Sequence, residues 1–126
     1  MFTLLPGEIN DAWKEREGPV VLTTVDAGGT PNSIYASIAH LTSDGRLAVC
    51  DNYFDKTKEN IDARTGACLL FITKNRKAYQ IKGTIDYHAS GPLYEEMLSW
   101  SDPRHPRKGV AVLNPESIYR GKDRLA

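Results

Sequence analysis

Leu47-Ala48-Val49-Cys50-Asp51-Asn52-Tyr53-Phe54-Asp55-Lys56-Thr57-Lys58-Glu59-Asn60-Ile61 is the stretch around which the rest of the chain is organised. It reads as a short buried strand that ends in a polar loop and then opens a helix. Asp55 and Thr57 both suit an N-cap, which puts the helix start within one residue of Lys56. A helix start leaves several backbone N–H groups unpaired and carries partial positive charge, so it attracts an anion. Lys56 adds a full charge and Thr57 a hydroxyl donor, a pairing that suits a phosphate. An ordinary capped surface helix with a solvated first turn accounts for the same residues. The rest of the chain decides between the two.

Working outward, two hairpins precede this stretch. Val20 to Val25 is a β-branched run of strand length, stopped by Asp26-Ala27-Gly28-Gly29-Thr30-Pro31. Gly28-Gly29 lacks the spacing of a phosphate loop and is followed by no helix, so it reads as a hairpin turn. Asn32 to His40 is a second strand, with Ile34, Ala36 and Ile38 alternating with Tyr35, Ser37 and Ala39. Its small residues leave room for a ligand, or a neighbouring strand, to lie close to the backbone. Ser43-Asp44-Gly45 turns the chain into the strand Leu47 to Asp51. Two hairpins before any long helix predict an antiparallel meander.

Beyond the opening stretch, Gly66 ends the helix from Lys56 to about Thr65. Ala67 to Thr73 is nearly all apolar and reads as a strand buried on both faces. Ala78 to His88 is a long strand with Tyr79, Ile81, Gly83, Ile85 and Tyr87 on one face and polar residues on the other, as in the wall of a small barrel. Helices are predicted over Glu8 to Glu17, with Trp13 as a core anchor, and over Leu93 to about Ser101, with Leu93, Met97 and Trp100 at helical spacing. Val110 to Leu113 and Ser117 to Tyr119 read as closing strands around Asn114-Pro115, and Arg120 to Arg124 as a frayed tail. The expectation is one domain over residues 1–126, mainly β with flanking helices.

Composition narrows the function. The formal charge balances at +0, so the total argues for no nucleic-acid or membrane partner. Met1 to Pro6 is too short and uncharged for a signal peptide, and no apolar run approaches membrane-spanning length. Cys50 and Cys68 lie in apolar runs and read as small buried hydrophobes in a reducing compartment. These features predict a cytoplasmic protein. His40, His88 and His105 are scattered, without the ligand spacing of a metal site. No nucleophile elbow or phosphate loop is present. Cys50 lies a few residues before a helix start, which keeps a thiolate nucleophile open, but no side chain stands out as an acid or base. The combination left is an anion site at Lys56 and Thr57 beside a small-residue strand. It suits a flat, phosphate-bearing ligand whose ring rests along strand backbone.

In the order and spacing of these segments, the chain resembles the pyridoxamine 5′-phosphate oxidase-like flavoproteins, and among them the short FMN-binding split-barrel proteins. The residues that carry the resemblance are the hairpin strands from Val20 to Asp51, then Asp55-Lys56-Thr57-Lys58-Glu59-Asn60-Ile61, then Tyr79-Gln80-Ile81-Lys82-Gly83. It spans Val20 to Tyr119 and implies an antiparallel split β-barrel of about six or seven strands. It also implies a homodimer with FMN at its interface. By that resemblance Lys56 and Thr57 hold the phosphate, while Ala36, Ser37, Ile38 and Ala39 line the ring and ribityl chain. Cys50, Asp51 and Asn52 stand beside the ring, Gln80 makes a polar contact near it, and the Trp100 helix contributes from the partner subunit.

Two departures qualify the resemblance. Where the oxidases carry a phosphate-binding arginine, this chain reads Ser33-Ile34-Tyr35, and the Arg- and His-rich C-terminal segment that binds pyridoxal has no match before Ala126. The expected function is therefore flavin-dependent electron or hydride transfer with an unidentified redox partner or small-molecule substrate, not pyridoxamine phosphate oxidation. The same barrel with a deazaflavin or haem, or a non-catalytic dimeric interaction module, stands as the alternative.

Overall fold

The computed structural model describes residues 3–126. Eight strands form one antiparallel sheet, joined by three helices. The strands are β1 (Val20–Val25), β2 (Pro31–Ala36), β3 (Ala39–Leu41), β4 (Leu47–Asp51), β5 (Ala67–Ile72), β6 (Ala78–His88), β7 (Gly109–Arg120) and β8 (Asp123–Arg124). The helices are α1 (Gly7–Lys14), α2 (Lys56–Asp62) and α3 (Pro92–Trp100). The sheet order is β2-β1-β5-β6-β7-β4-β3, with β8 on β7. Because β2 and β3 follow one another in sequence yet lie at opposite ends of this order, the sheet curls until its two ends meet. The seam is the bend at Ser37–Ile38, where the Ile38 carbonyl accepts the Cys50 N–H at 2.9 Å.

The core follows from the alternation. Val20, Leu22, Leu69, Phe71, Tyr79 and Ile81 are buried inside the curl, and α1 closes it with Ile9 and Trp13. Trp13 meets Phe71 edge-on at 5.1 Å and carries the Arg16 guanidinium 4.0 Å above its ring. Across the helix face, Glu8 accepts from the Tyr79 hydroxyl at 2.9 Å and from Arg120 at 2.6 Å, tying α1 to β6 and β7. β4 is buried on both faces because the main core covers one and α3 the other. Leu47 and Val49 face the main core, while Ala48 and Cys50 face Met97 of α3.

Several segments differ from the sequence expectation. The strand expected over Asn32 to His40 is two strands broken at Ser37–Ile38, since curling the sheet into its own end requires the bend. α2 stops at Asp62, a turn before Thr65, with Arg64 left-handed at φ 58° just past its end, a position helices often use to stop. The two closing strands are one strand, β7, which passes through Asn114-Pro115. A register shift at Gly83 accommodates the proline, and a side chain on Gly83 would collide with the Asn114 carbonyl. The tail is ordered: Gly121 turns it back, β8 pairs with β7, and Leu125 and Ala126 pack on the core. β5 is buried on one face only, and Leu70 on the other is 37% exposed.

Candidate functional site

The free edge of β2 and the seam beside it line a cavity of about 350 Å³. Among the described residues β2 pairs only with β1, so its other edge offers unpaired backbone groups. Where the strand breaks, the N–H groups of Ser37 and Ile38 have no backbone acceptor among the described residues. Ile34, Tyr35, Ala36, Ser37 and Ile38 form this wall. Cys50 at the end of β4, the turn Asn52, Tyr53, Phe54, and His105 complete the lining. Tyr35 and Tyr53 are 79% and 72% exposed, and Tyr53 meets His105 edge-on at 6.1 Å.

The second wall is held from below. Asp51, 2% exposed, accepts the Phe54 N–H at 2.9 Å through Oδ1 and the Tyr87 hydroxyl at 2.6 Å through Oδ2. Asn52 Oδ1 accepts the Arg107 N–H at 3.0 Å, and the Asp51 carbonyl accepts the Lys108 N–H at 2.8 Å. The loop that carries His105 is thereby fastened to the cavity wall. The Cys50 thiol donates to Asn52 Oδ1 at 3.5 Å. Burial, reinforced by the neighbouring Asp51 carboxylate, pushes its pKa up to about 11. It is a neutral thiol at physiological pH and a poor nucleophile.

The residues expected at the site divide accordingly. Ala36, Ser37, Ile38, Cys50 and Asn52 line the cavity together. Ala39 is buried in β3 opposite Val49, and Asp51 lies behind the wall, shaping it without lining it. Lys56 lines a second cavity of about 230 Å³ at the other end of β2, with Asn32, Asn60, Asp26 and Glu59. Asn32 and Ile34 are two residues apart on one strand, about 7 Å at ordinary strand rise, so β2 runs past both cavities. Thr57 is buried, and its hydroxyl accepts the Asn32 side-chain amide at 3.1 Å. Asn60 donates to Thr24 at 3.0 Å, so α2 is pinned to the first hairpin by two side-chain bonds. No side chain caps α2 at Asp55.

Gln80 pairs with Leu70 and Tyr119 on the outward face of the sheet, three strands from β2, and does not line the cavity of its own subunit. The indole N–H of Trp100 is buried without an acceptor among the described residues, and its ring stacks on His40 at 5.3 Å. Tyr53, Phe54 and His105 were not anticipated as site residues. The signal for His105 is its place between Pro103 and Pro106, which reads first as a helix breaker. Among the described residues, no group of three or more His, Cys, Asp or Glu side chains is placed to hold a metal ion. No described helix is long and apolar enough to cross a membrane.

A family model described as pyridoxamine 5′-phosphate oxidase matches residues 5–120. The chain belongs to that family. An uncharacterized protein of Methanocaldococcus jannaschii, MJ0282, is 29% identical over 108 residues, covering 82% of this chain and 72% of its own. Among solved structures, HupZ of Group A Streptococcus is similar at TM-score 0.81 and 24% identity, over 98% of this chain and 99% of that one. An FMN-binding protein of Syntrophomonas wolfei is similar at TM-score 0.72 and 18% identity, over 88% and 79% of the two chains. HutZ of Vibrio cholerae, described as a heme storage protein, is similar at TM-score 0.71 and 19% identity, over 94% and 95%. These likenesses establish the split-barrel fold of the pyridoxamine 5′-phosphate oxidase family for this chain.

Proposed function

We propose that this protein is an FMN-binding flavoprotein of the pyridoxamine 5′-phosphate oxidase family, acting as an oxidoreductase or electron carrier. The observation that carries the reading is the β2 edge at Ser37–Ile38. Ser37 and Ile38, whose backbone N–H groups have no backbone acceptor among the described residues, line a cavity whose volume lies in the usual small-molecule range of ~300–1,000 Å³. Amide donors along a strand edge suit the carbonyl and ring-nitrogen acceptors of a flat heteroaromatic, and the small Ala36 and Ser37 side chains let a ring approach the backbone. Asn52, Tyr53 and Phe54 would cover its opposite side, with Cys50 as a neutral neighbour. Lys56, in the cavity further along β2, would hold the phosphate, assisted by Asn32. Bound FMN supplies the redox chemistry, and the residues here bind, orient and shield it.

The working unit in this reading is a homodimer. The outward faces of β2, β1, β5, β6 and β7 align Tyr35, Val21, Leu70, Gln80 and Tyr119 in one cross-strand row. Such a row on a solvent face suits burial against a second copy. Gln80 would then serve the partner subunit's cavity. His105 supports a second reading, because an imidazole lining the cavity suits an axial ligand for haem iron.

An absorption spectrum of the purified protein, taken before and after incubation with FMN or haem and desalting, tests both. Retained flavin bands support the first reading and a retained Soret band the second. Protein that retains neither, and whose melting temperature neither ligand raises, would refute both and favour an interaction module.

A further inference from the structure

We infer that Tyr87 is a positioning residue for the β2-edge cavity, holding its 52–54 wall in place through Asp51, and that position 109 is glycine to admit the Tyr87 hydroxyl. The ligand-affinity arm of this inference rests on the FMN reading; the geometry does not. Tyr87 does not line the β2-edge cavity. Its ring lines a different one, of about 380 Å³, between the end of α2 and β6, where the Lys58 ammonium lies 4.5 Å over it. Only its hydroxyl reaches toward the site, donating to Asp51 Oδ2 at 2.6 Å. Asp51 Oδ1 meanwhile accepts the Phe54 N–H, the bond that folds the wall.

The carboxylate is buried and divided between these two donors. A buried charge needs its acceptors filled, so loss of the phenol donor would leave Oδ2 unpaired and drive the carboxylate to turn toward other donors or water. That turn is at the expense of Phe54. Gly109 is the matching vacancy: a Cβ there would fall on the hydroxyl end of the Tyr87 ring. Lys108, its neighbour, donates to the Asp51 carbonyl, so the same few residues seat both the phenol and the loop that carries His105.

The test uses the intact chain with Tyr87→Phe, which keeps the ring and its contact with Lys58, and Gly109→Ala, which displaces the hydroxyl without removing it. Amide hydrogen exchange is measured on the ligand-free proteins, and FMN and riboflavin affinities by fluorescence titration. In both variants the Phe54 amide is expected to exchange at least about tenfold faster, the scale of one lost hydrogen bond to a charged group. Exchange at Leu69 and Ile81 in the core should be unchanged. FMN and riboflavin should weaken by the same factor, because the displaced wall serves the ring and not the phosphate, and the visible circular dichroism of bound flavin should change. Unchanged Phe54 exchange in Tyr87→Phe overturns the inference. So does faster exchange spread equally over the core, which would mark a merely structural role. If the wild-type protein binds no flavin, the FMN reading falls, and the exchange arm alone still decides this one.

Discussion

Replacing Lys56 with alanine probes where the phosphate of a bound flavin would lie. Lys56 is exposed at the start of α2 and lines a small cavity with Asn32 and Asn60, but also with Glu59 and Asp26. A hydrogen bond to a charged group contributes ~1.5–3 kcal/mol, so Lys56→Ala should raise the Kd for FMN ~10- to 150-fold. Riboflavin, which lacks the phosphate, should bind both proteins equally. The carboxylates supply an opposing control. At a separation of ~8 Å in a solvent-rich setting, one like charge costs ~0.5–1 kcal/mol. Glu59→Gln should therefore tighten FMN ~2- to 5-fold and leave riboflavin alone. Both effects should shrink as salt rises, because the site is open to solvent. Fluorescence titration of the six protein–ligand pairs, three proteins with two ligands, reads this directly. Equal losses of FMN and riboflavin in Lys56→Ala would show that the lysine acts on the fold and not on a phosphate. No loss of either would place the phosphate elsewhere.

Three further outcomes are expected. Leu70→Lys puts a charge in the middle of the outward row of β1, β5 and β6 and should convert a dimer to a monomer by light scattering, with native circular dichroism retained. A Cys50 pKa raised from 9.0 to about 11 lowers its thiolate fraction at pH 8 roughly a hundredfold. Iodoacetamide should therefore label Cys50 at least that much more slowly than an unfolded control, and labelling at the control rate would contradict the buried, neutral thiol. Hydrogen bonds from Arg120 and then Tyr79 hold the Glu8 carboxyl below its ordinary 4.5. Its stabilisation is full above that pH and is lost as pH falls through the lowered folded value. Glu8→Gln should flatten that part of the acid limb in chemical denaturation, and cost less than ~1 kcal/mol at pH 7 because the pair is about a third exposed.

The strands that read plainly in the sequence are those whose pattern is local. Ala78 to His88 shows its alternation in its own residues, and its bounds match β6. Val20 to Val25 and Leu47 to Asp51 are bracketed by turn residues and match equally well. What was not legible depends on partners distant in the chain. The break at Ser37–Ile38 arises because the sheet must meet its own end, and nothing local in Ala36-Ser37-Ile38-Ala39 marks it. Asn114-Pro115 looks like a strand terminator, yet it is absorbed by a register shift opposite Gly83, 32 residues earlier in the numbering of that pair's glycine and proline. The site divided the same way. Small residues beside a strand end marked one wall of the cavity. The His105 loop is fastened to it by N–H groups of residues 107 and 108 on Asn52 and Asp51, and the turn that carries Tyr53 by the Phe54 N–H on Asp51, bonds between residues whose pairing no local pattern marks.

In the proposed dimer, the placement of Gln80 would tie cofactor occupancy to assembly. In its own subunit Gln80 faces outward, in register with Leu70 and Tyr119 and three strands along the sheet from Tyr35 of the cavity wall. If it contacts a bound flavin at all, that flavin belongs to the partner subunit. A site completed by two chains obeys linkage: whatever factor dimerisation adds to FMN affinity, FMN must add to dimerisation. Dilution of the flavin-loaded protein below its dimer dissociation constant should then release flavin, seen as a rise in free-flavin fluorescence, and excess FMN should shift the dilution midpoint to lower protein concentration. Leu70→Lys should weaken FMN without touching the cavity, and Gln80→Ala should weaken FMN in the dimer while leaving the affinity of the Leu70→Lys monomer unchanged. An FMN affinity independent of protein concentration would separate the two events. The β2 edge, with the Asp51-held wall opposite it, would then be a site complete within one chain.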